Sequence, residues 1–376
     1  MNRLFLTSRM LWLRRLFIQI HLWLGLLIVL YAILIGLSGA ILVWAADLRS
    51  ATLPHQSFDP ASIATIDAVF AHAPKPIQSI SYIAPPTSAA PWWTLYYTRP
   101  NSTPRILYFD ATTAQPLATH RIWVDWVADL HVYLLAGQSG FVLNCSLAIL
   151  LLIVILSGLI LWWPGWSHLR RALSLSLHRG FRRLYWDFHN AAGIWALALL
   201  LIWTTTAIYF LFPAPVSRIL AAVSPIRSMA PPVLPTLPPS LRRIPLDELL
   251  YRYHFVTPGT LSGITPPTDA SPLLTLSFDT AAPGDFSHRT HLYIDARTGQ
   301  LLATWQYGNP RSLSDWALWL IYPLHFGNLW GWPIKILWSA GGVILALLAL
   351  SGFLIYWNRA LAPKLRRTLR QSPYKA

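Results

Sequence analysis

The sequence predicts a mainly α-helical membrane protein with four transmembrane helices, arranged as two parallel repeats that each carry an α+β module outside the bilayer. Three observations predict it. The 376 residues are 55% hydrophobic and only 11% charged, far from the average of a soluble chain. Four apolar stretches are long enough to cross a bilayer, which takes about 20 residues at 1.5 Å of rise each. An ordered set of short motifs also occurs twice.

In chain order, residues 1–15 form a basic N-terminus and 16–44 the first span, Leu16–Trp44. Its apolar run greatly exceeds the core of a secretory signal, so it is expected to be retained. Residues 45–130 form the first outer module. Residues 131–163 hold an outer histidine segment and the second span, Phe141–Trp163. A basic loop follows over 164–187, then the third span over 188–212, with its apolar run at Ala191–Phe212. Residues 213–324 form the second outer module, and 325–357 a second histidine segment with the fourth span, Pro333–Trp357. Residues 358–376 are a basic tail. Trp or Tyr edges each span, as interfacial belts require.

The formal charge of +15 would suit a nucleic-acid partner if it were spread over a folded surface. It is not. Arg3, Arg9, Arg14 and Arg15, then Arg170, Arg171, Arg179, Arg182 and Arg183, then Arg359, Lys364, Arg366, Arg367, Arg370 and Lys375 supply 15 of the 29 basic residues. Of the 14 acids, only Asp187 shares those segments. By the positive-inside rule both termini and the 164–187 loop are cytoplasmic, and the two modules lie outside the inner membrane. The charge is topogenic and nucleic acid is not an expected partner. One cysteine, Cys145, excludes disulfides within the chain and thiolate metal clusters, and the absence of CxxCH excludes covalent c-type haem. No glycine-rich nucleotide motif and no hydrolase triad motif is present.

The repeat organises the chain. Arg14-Arg15-Leu16-Phe17 leads to His21 and Gly25, as Arg182-Arg183-Leu184-Tyr185 leads to His189 and Gly193. Leu130-His131 precedes Ser157-Gly158 as Leu324-His325 precedes Ser351-Gly352, with equal spacing in both copies. Between them, the run from Leu107 through Asp110 to Gln115 matches the run from Leu292 through Asp295 to Gln300. These runs read as strand, tight turn, strand. Gly299 is free to take positive φ, whereas Ala114 in the first copy should differ there or be strained. Residues 54–91 and 213–245 read as irregular, Pro-rich connections, and 246–256 as a short amphipathic helix on the sheet. Trp92, Trp93, Tyr96 and Tyr97 alternate as a strand does, so they are expected to serve packing. Two spans per copy make the repeats parallel, so equivalent residues share a depth. His21 therefore pairs with His189 near the cytoplasmic edge, and His131 with His325 near the outer edge.

One histidine at a membrane edge is an ordinary interfacial residue; two repeat-related pairs suggest ligation. Neutral imidazoles on both axial faces are what b-type haem needs in a membrane. Gly25 and Gly193, one turn beyond His21 and His189, would admit a porphyrin edge, or else allow close helix packing. Arg15 and Arg183 are candidate propionate contacts, although orientation alone explains them. His288 and His291 beside Arg289 suit solvated loop positions better than an anion site, and Lys335 reads as a snorkelling residue.

Taken in order and in duplicate, Arg-Arg-Leu before His21 or His189, the Asp-Ala-x-Thr-x-Gln turns, Leu-His at 131 and 325 and the Ser-Gly steps resemble the PepSY-associated transmembrane proteins of bacterial iron acquisition. The resemblance covers nearly the whole chain. It implies PepSY-like outer modules and two haem b groups with His21, His189, His131 and His325 as axial ligands. It further implies an inner-membrane oxidoreductase that reduces a ferric siderophore, or another ferric chelate, on the periplasmic side. An unidentified donor, quinol or a cytoplasmic reductase, would supply the electrons, and membrane lipid would surround the spans. Two rivals stand beside it: a non-redox permease component of siderophore uptake, and a membrane-anchored PepSY module that restrains a protein partner. Bound haem separates them.

Overall fold

The computed structural model describes residues 8–54, 58–73, 79–98, 104–118, 120–226, 232–234, 243–268, 271–280, 288–307 and 312–365. Arg3, Arg366, Arg367, Arg370 and Lys375, used above for orientation, lie outside them. The helices are α1 (Ser8–Leu27), α2 (Val29–Leu42), α3 (Ala45–Thr52), α4 (Ile66–His72), α5 (Trp123–Tyr133), α6 (Gly137–Trp162), α7 (Leu169–Ala172), α8 (Phe181–Trp195), α9 (Leu197–Leu211), α10 (Pro213–Val223), α11 (Leu246–Tyr253), α12 (Leu313–Phe326) and α13 (Trp332–Tyr356). The strands are β1 (Ser79–Ala84), β2 (Trp92–Thr98), β3 (Arg105–Asp110), β4 (Thr260–Thr265), β5 (Leu273–Asp279), β6 (Arg289–Asp295) and β7 (Leu301–Tyr307). They form two units: residues 1–43, 142–211 and 332–376, and residues 44–141 and 212–331.

Among the described residues of the first unit two helices are long and apolar enough to cross a membrane: α6, and α13 extended through a π-helical turn at Trp357–Leu361. Where Leu16–Trp44 and Ala191–Phe212 predict single straight helices, the structure has two bent pairs. α1 meets α2, and α8 meets α9, at 63° in both cases. The breaks fall on the repeat-equivalent residues Ile28 and Ala196, each 2% exposed, and no proline stands at either. Each pair counts as one span only if the bend is included.

Ile28, Ala32, Leu151, Ile155, Ala192, Ala196, Leu200, Leu345 and Leu348 form this unit's core. In lipid, apolar character alone does not drive helices together, so close backbone approach matters more. It occurs between α2 and α13. A Cβ on Gly36 would stand 2.5 Å from the Gly342 carbonyl oxygen, and a Cβ on Gly342 2.5 Å from that of Gly36. Ser339 Oγ donates to the Ala40 carbonyl (3.0 Å) beside this crossing.

The second unit corrects the expectation of two separate modules. All seven strands join in one antiparallel sheet of order β3-β2-β1-β4-β5-β6-β7. The halves meet where Ile83 of β1 pairs with Ile264 of β4. Alternation along the strands sends Ile83, Trp93, Leu95, Phe109, Ile264, Leu274, Leu276, Phe278, Leu292 and Ile294 to one shared core, closed by α4 and by Leu249 and Tyr253 of α11. The amphipathic helix expected at 246–256 is thus present as α11 and packs on the sheet. Asp247 ties the halves again, accepting from the backbone N–H groups of Ile66 (2.9 Å) and Asp67 (3.1 Å).

Both turns take the left-handed conformation, Gly299 at φ +70° and Ala114 at φ +55°, so the first copy keeps the turn at the cost of strain. After it the copies diverge. β7 pairs along its length with β6, whereas the first copy makes a single bridge, Phe109 to Pro116. Proline has no N–H to continue a ladder.

The opposite face of the sheet is polar and largely buried. Arg49 Nε lies 3.2 Å from Asp125 Oδ1, Tyr108 donates to the same carboxylate (2.9 Å), and Arg289 pairs with the buried Asp279 at 2.6 Å. His291, expected as a solvated loop residue, is instead in β6, with Nδ1 2.9 Å from Ser277 Oγ. Burial, then the neighbouring Arg289 charge, push its imidazole down to about 4. A histidine held neutral below its unfolded pKa contributes stability that is fully present above about 6.5 and is lost as pH falls toward the folded value. Melting temperature in detergent is therefore expected to drop between pH 7 and pH 5, and His291→Gln to flatten that slope. An unchanged slope in the variant would contradict this assignment.

Candidate functional site

His21 lies on α1 and His189 on α8, each before the bend of its pair. The structure brings them together: their ring centroids are 6.2 Å apart and their planes cross at 80°. The repeat builds both sides alike. His21 Nδ1 lies 3.0 Å from the Val154 carbonyl and 3.2 Å from Ser157 Oγ on α6. His189 Nδ1 lies 3.1 Å from the Leu348 carbonyl and 3.1 Å from Ser351 Oγ on α13. Each serine hydroxyl donates back to that same carbonyl, at 2.9 Å and 3.0 Å.

A carbonyl oxygen only accepts, so Nδ1 must carry the proton in both rings. Nε2 is then a bare lone pair, and among the described residues neither Nε2 has a hydrogen-bond donor. This is the state in which imidazole binds a metal, its other nitrogen tied to a carbonyl. The separation also fits one metal centre between the rings, since two metal–nitrogen bonds of about 2 Å plus the depth of both rings span about 6 Å. Among the described residues no group of three or more His, Cys, Asp or Glu side chains is placed to hold a metal ion.

Gly25, expected to admit a porphyrin edge, faces open space, with nothing within 4 Å of an added Cβ; at Gly193 the nearest atom is Leu348 Cδ2 at 3.9 Å. Close helix packing is therefore not what these glycines provide; Gly36 and Gly342 do that instead. Arg15 is exposed. Arg183 is held 2.8 Å from Asp187, which also accepts from the Ser176 backbone N–H (3.3 Å) and so secures the 164–187 loop.

In the second unit, His131 stands near the C-terminal end of α5 and His325 near that of α12. The helices stop there because the chain turns left-handed, at Leu134 and Leu135 after α5 and at Gly327 after α12. Removal from water, and then the charge of nearby His131, push His325 down to about 3, so it is neutral at physiological pH. Asp129, two residues before His131, is buried and paired with Arg121 at 3.0 Å.

The site residues that sequence reasoning did not assign are Ser157, Gly158, Ser351 and Gly352. Their recurrence was visible, but not that they receive a ring more than 130 residues away. A cavity of about 400 Å³ in the second unit was also unforeseen; it is lined by His288, Trp316, Trp319, Asn328 and Trp330, among others.

The chain is 29% identical over 273 residues to the uncharacterized protein PA4219 of Pseudomonas aeruginosa, covering 66% of this chain and 67% of that protein. The description of the PepSY-associated TM region matches residues 18–359, nearly the full length. The protein is therefore a member of the PepSY-associated transmembrane family.

Proposed function

We propose that this chain is a four-span inner-membrane electron-transfer protein that holds haem b between His21 and His189 and again between His131 and His325. It would deliver electrons from the cytoplasmic side or the quinol pool to a ferric siderophore, or another ferric chelate, outside. The observation that carries the reading is the His21–His189 pair, with both Nδ1 protons committed to carbonyls and both Nε2 lone pairs left to ligate. Haem supplies one-electron redox chemistry when bound. The chain's residues do the rest: the histidines ligate, α6 and α13 fix the rings, and the open space beside Gly25 leaves room for a macrocycle. Burial and the charge of nearby His131 hold His325 neutral, the state in which an imidazole ligates.

The ferric substrate rests on the family resemblance and on chemistry. One electron converts Fe(III) to Fe(II), for which hard oxygen donors have less affinity, so the chelate loosens. Orientation rests on the basic cytoplasmic segments.

Reconstituted vesicles test this reading. With a reductant sealed inside and a ferric chelate outside, protein inserted with its outer unit exposed should produce external Fe(II). Protein lacking His21 or His131 should not. External Fe(II) formation that survives loss of these histidines would contradict the proposal.

A further inference from the structure

We propose that Ser157-Gly158 and Ser351-Gly352 are ring seats: they hold the His21 and His189 imidazoles in one tautomer and crossed, so that the centre between them is a crossed bis-imidazole site. The seats are inferred from the apo geometry; only their use by haem rests on the function proposed above.

Each part of the Ser-Gly step has its own role. The serine donates to the carbonyl one turn back and places its oxygen 3.2 Å (Ser157) or 3.1 Å (Ser351) from the imidazole Nδ1. The Nδ1 proton thus faces two oxygens, and rotation of the ring about its own axis would forfeit both. The glycine removes the atom that would otherwise lie under the ring. A Cβ at Gly158 would stand 2.9 Å from His21 Cε1, and one at Gly352 3.0 Å from His189 Cε1. The first distance is shorter than real Cβ contacts and the second is tighter than nearly all of them, so the ring would have to tilt or withdraw, by only a few tenths of an ångström at Gly352. The contact is with the same ring atom in both copies, and the two copies share no residue. With each ring held by its own seat, the planes cross at 80°.

A metal's axial imidazoles are ordinarily oriented by the partner of the second ring nitrogen, and loss of such a partner weakens metal binding by about 10- to 100-fold. Here that partner is a backbone carbonyl, which no substitution removes. The serine and the glycine are the variable parts of the seat. They are positioning residues, since neither touches the metal.

Histidine-¹⁵N-labelled protein, prepared without haem, tests the seat directly by nuclear magnetic resonance. Two histidines should show a protonated Nδ1 and a bare Nε2. Gly158→Ala should move the signals of one of them and Gly352→Ala those of the other, while Ser146→Ala, which changes a serine bonded only to its own helix, moves neither. After haem loading, the ferric wild type should show the highly anisotropic low-spin resonance of crossed axial imidazoles. Gly158→Ala should shift it and weaken haem retention about 10-fold or more. If Gly158→Ala fails to fold by size exclusion, Ser157→Ala carries the same measurements without added volume. Mixed tautomers in the wild type, or unchanged signals and retention in both variants, would overturn the seat. Labelled signals that behave as expected in a protein that never takes up haem would leave the seat standing and refute the haem reading. Haem uptake with a parallel-plane signal would do the reverse.

Discussion

His21→Ala in the purified protein is expected to remove one of two haems, and His189→Ala to remove the same one. In the proposed site one group would meet both rings, which are repeat-equivalent and 6.2 Å apart. A centre that needs both rings would be lost with either one, so loss of the second adds little, because losses at one shared centre do not add. His21→Ala combined with His131→Ala should instead empty both proposed sites, since in the proposal those two residues belong to different centres. Haem content by the pyridine haemochrome method, measured for the singles and for both doubles, reads the pattern. Additive losses for His21 and His189 would contradict the pairing, as would His21 and His131 behaving as one unit.

Gly342→Leu should be the most damaging substitution in the first unit that touches no histidine. The obstruction at this crossing is backbone, the Gly36 carbonyl 2.5 Å from the new Cβ, and Ala40 adds its own Cβ at 3.1 Å. Flexible side chains can yield to an intruding methyl; a helix backbone held by its own hydrogen bonds cannot. Overpacking of this kind costs about 1–3 kcal/mol and sometimes more. A fall in melting temperature in detergent, larger for Leu than for Ala at position 342, is the expected result. Equal stability of both variants would mean that the α2–α13 crossing is looser than described.

Much of this was legible in the sequence, and the reasons are physical. Spacing singled out His21 and His189 as repeat equivalents, and their rings do lie 6.2 Å apart. The strain at Ala114 was readable because only the absence of a Cβ makes positive φ free, and its φ of +55° confirms it. The helix α11 was readable from its apolar spacing. The bends at Ile28 and Ala196 were not, since no proline marks them and the glycine three residues before each, Gly25 or Gly193, does not by itself specify a bend. The merging of two modules into one sheet was not readable either: β1 and β4 are about 180 residues apart, and neither strand announces an unpaired edge. His291 read as a loop residue because its polar face of the sheet resembles a solvated one until the buried Ser277 and Asp279 are seen beside it. The Ser-Gly steps showed in the sequence only as a recurrence, because the ring that each one faces is delivered by another helix.

The most direct test of the central claim is the haem content and visible spectrum of wild-type protein expressed with ample haem supply and purified in detergent. The account predicts two haem b per chain and the sharp reduced α-band of six-coordinate bis-imidazole centres. A protein that folds, yet binds no haem under those conditions, would contradict it.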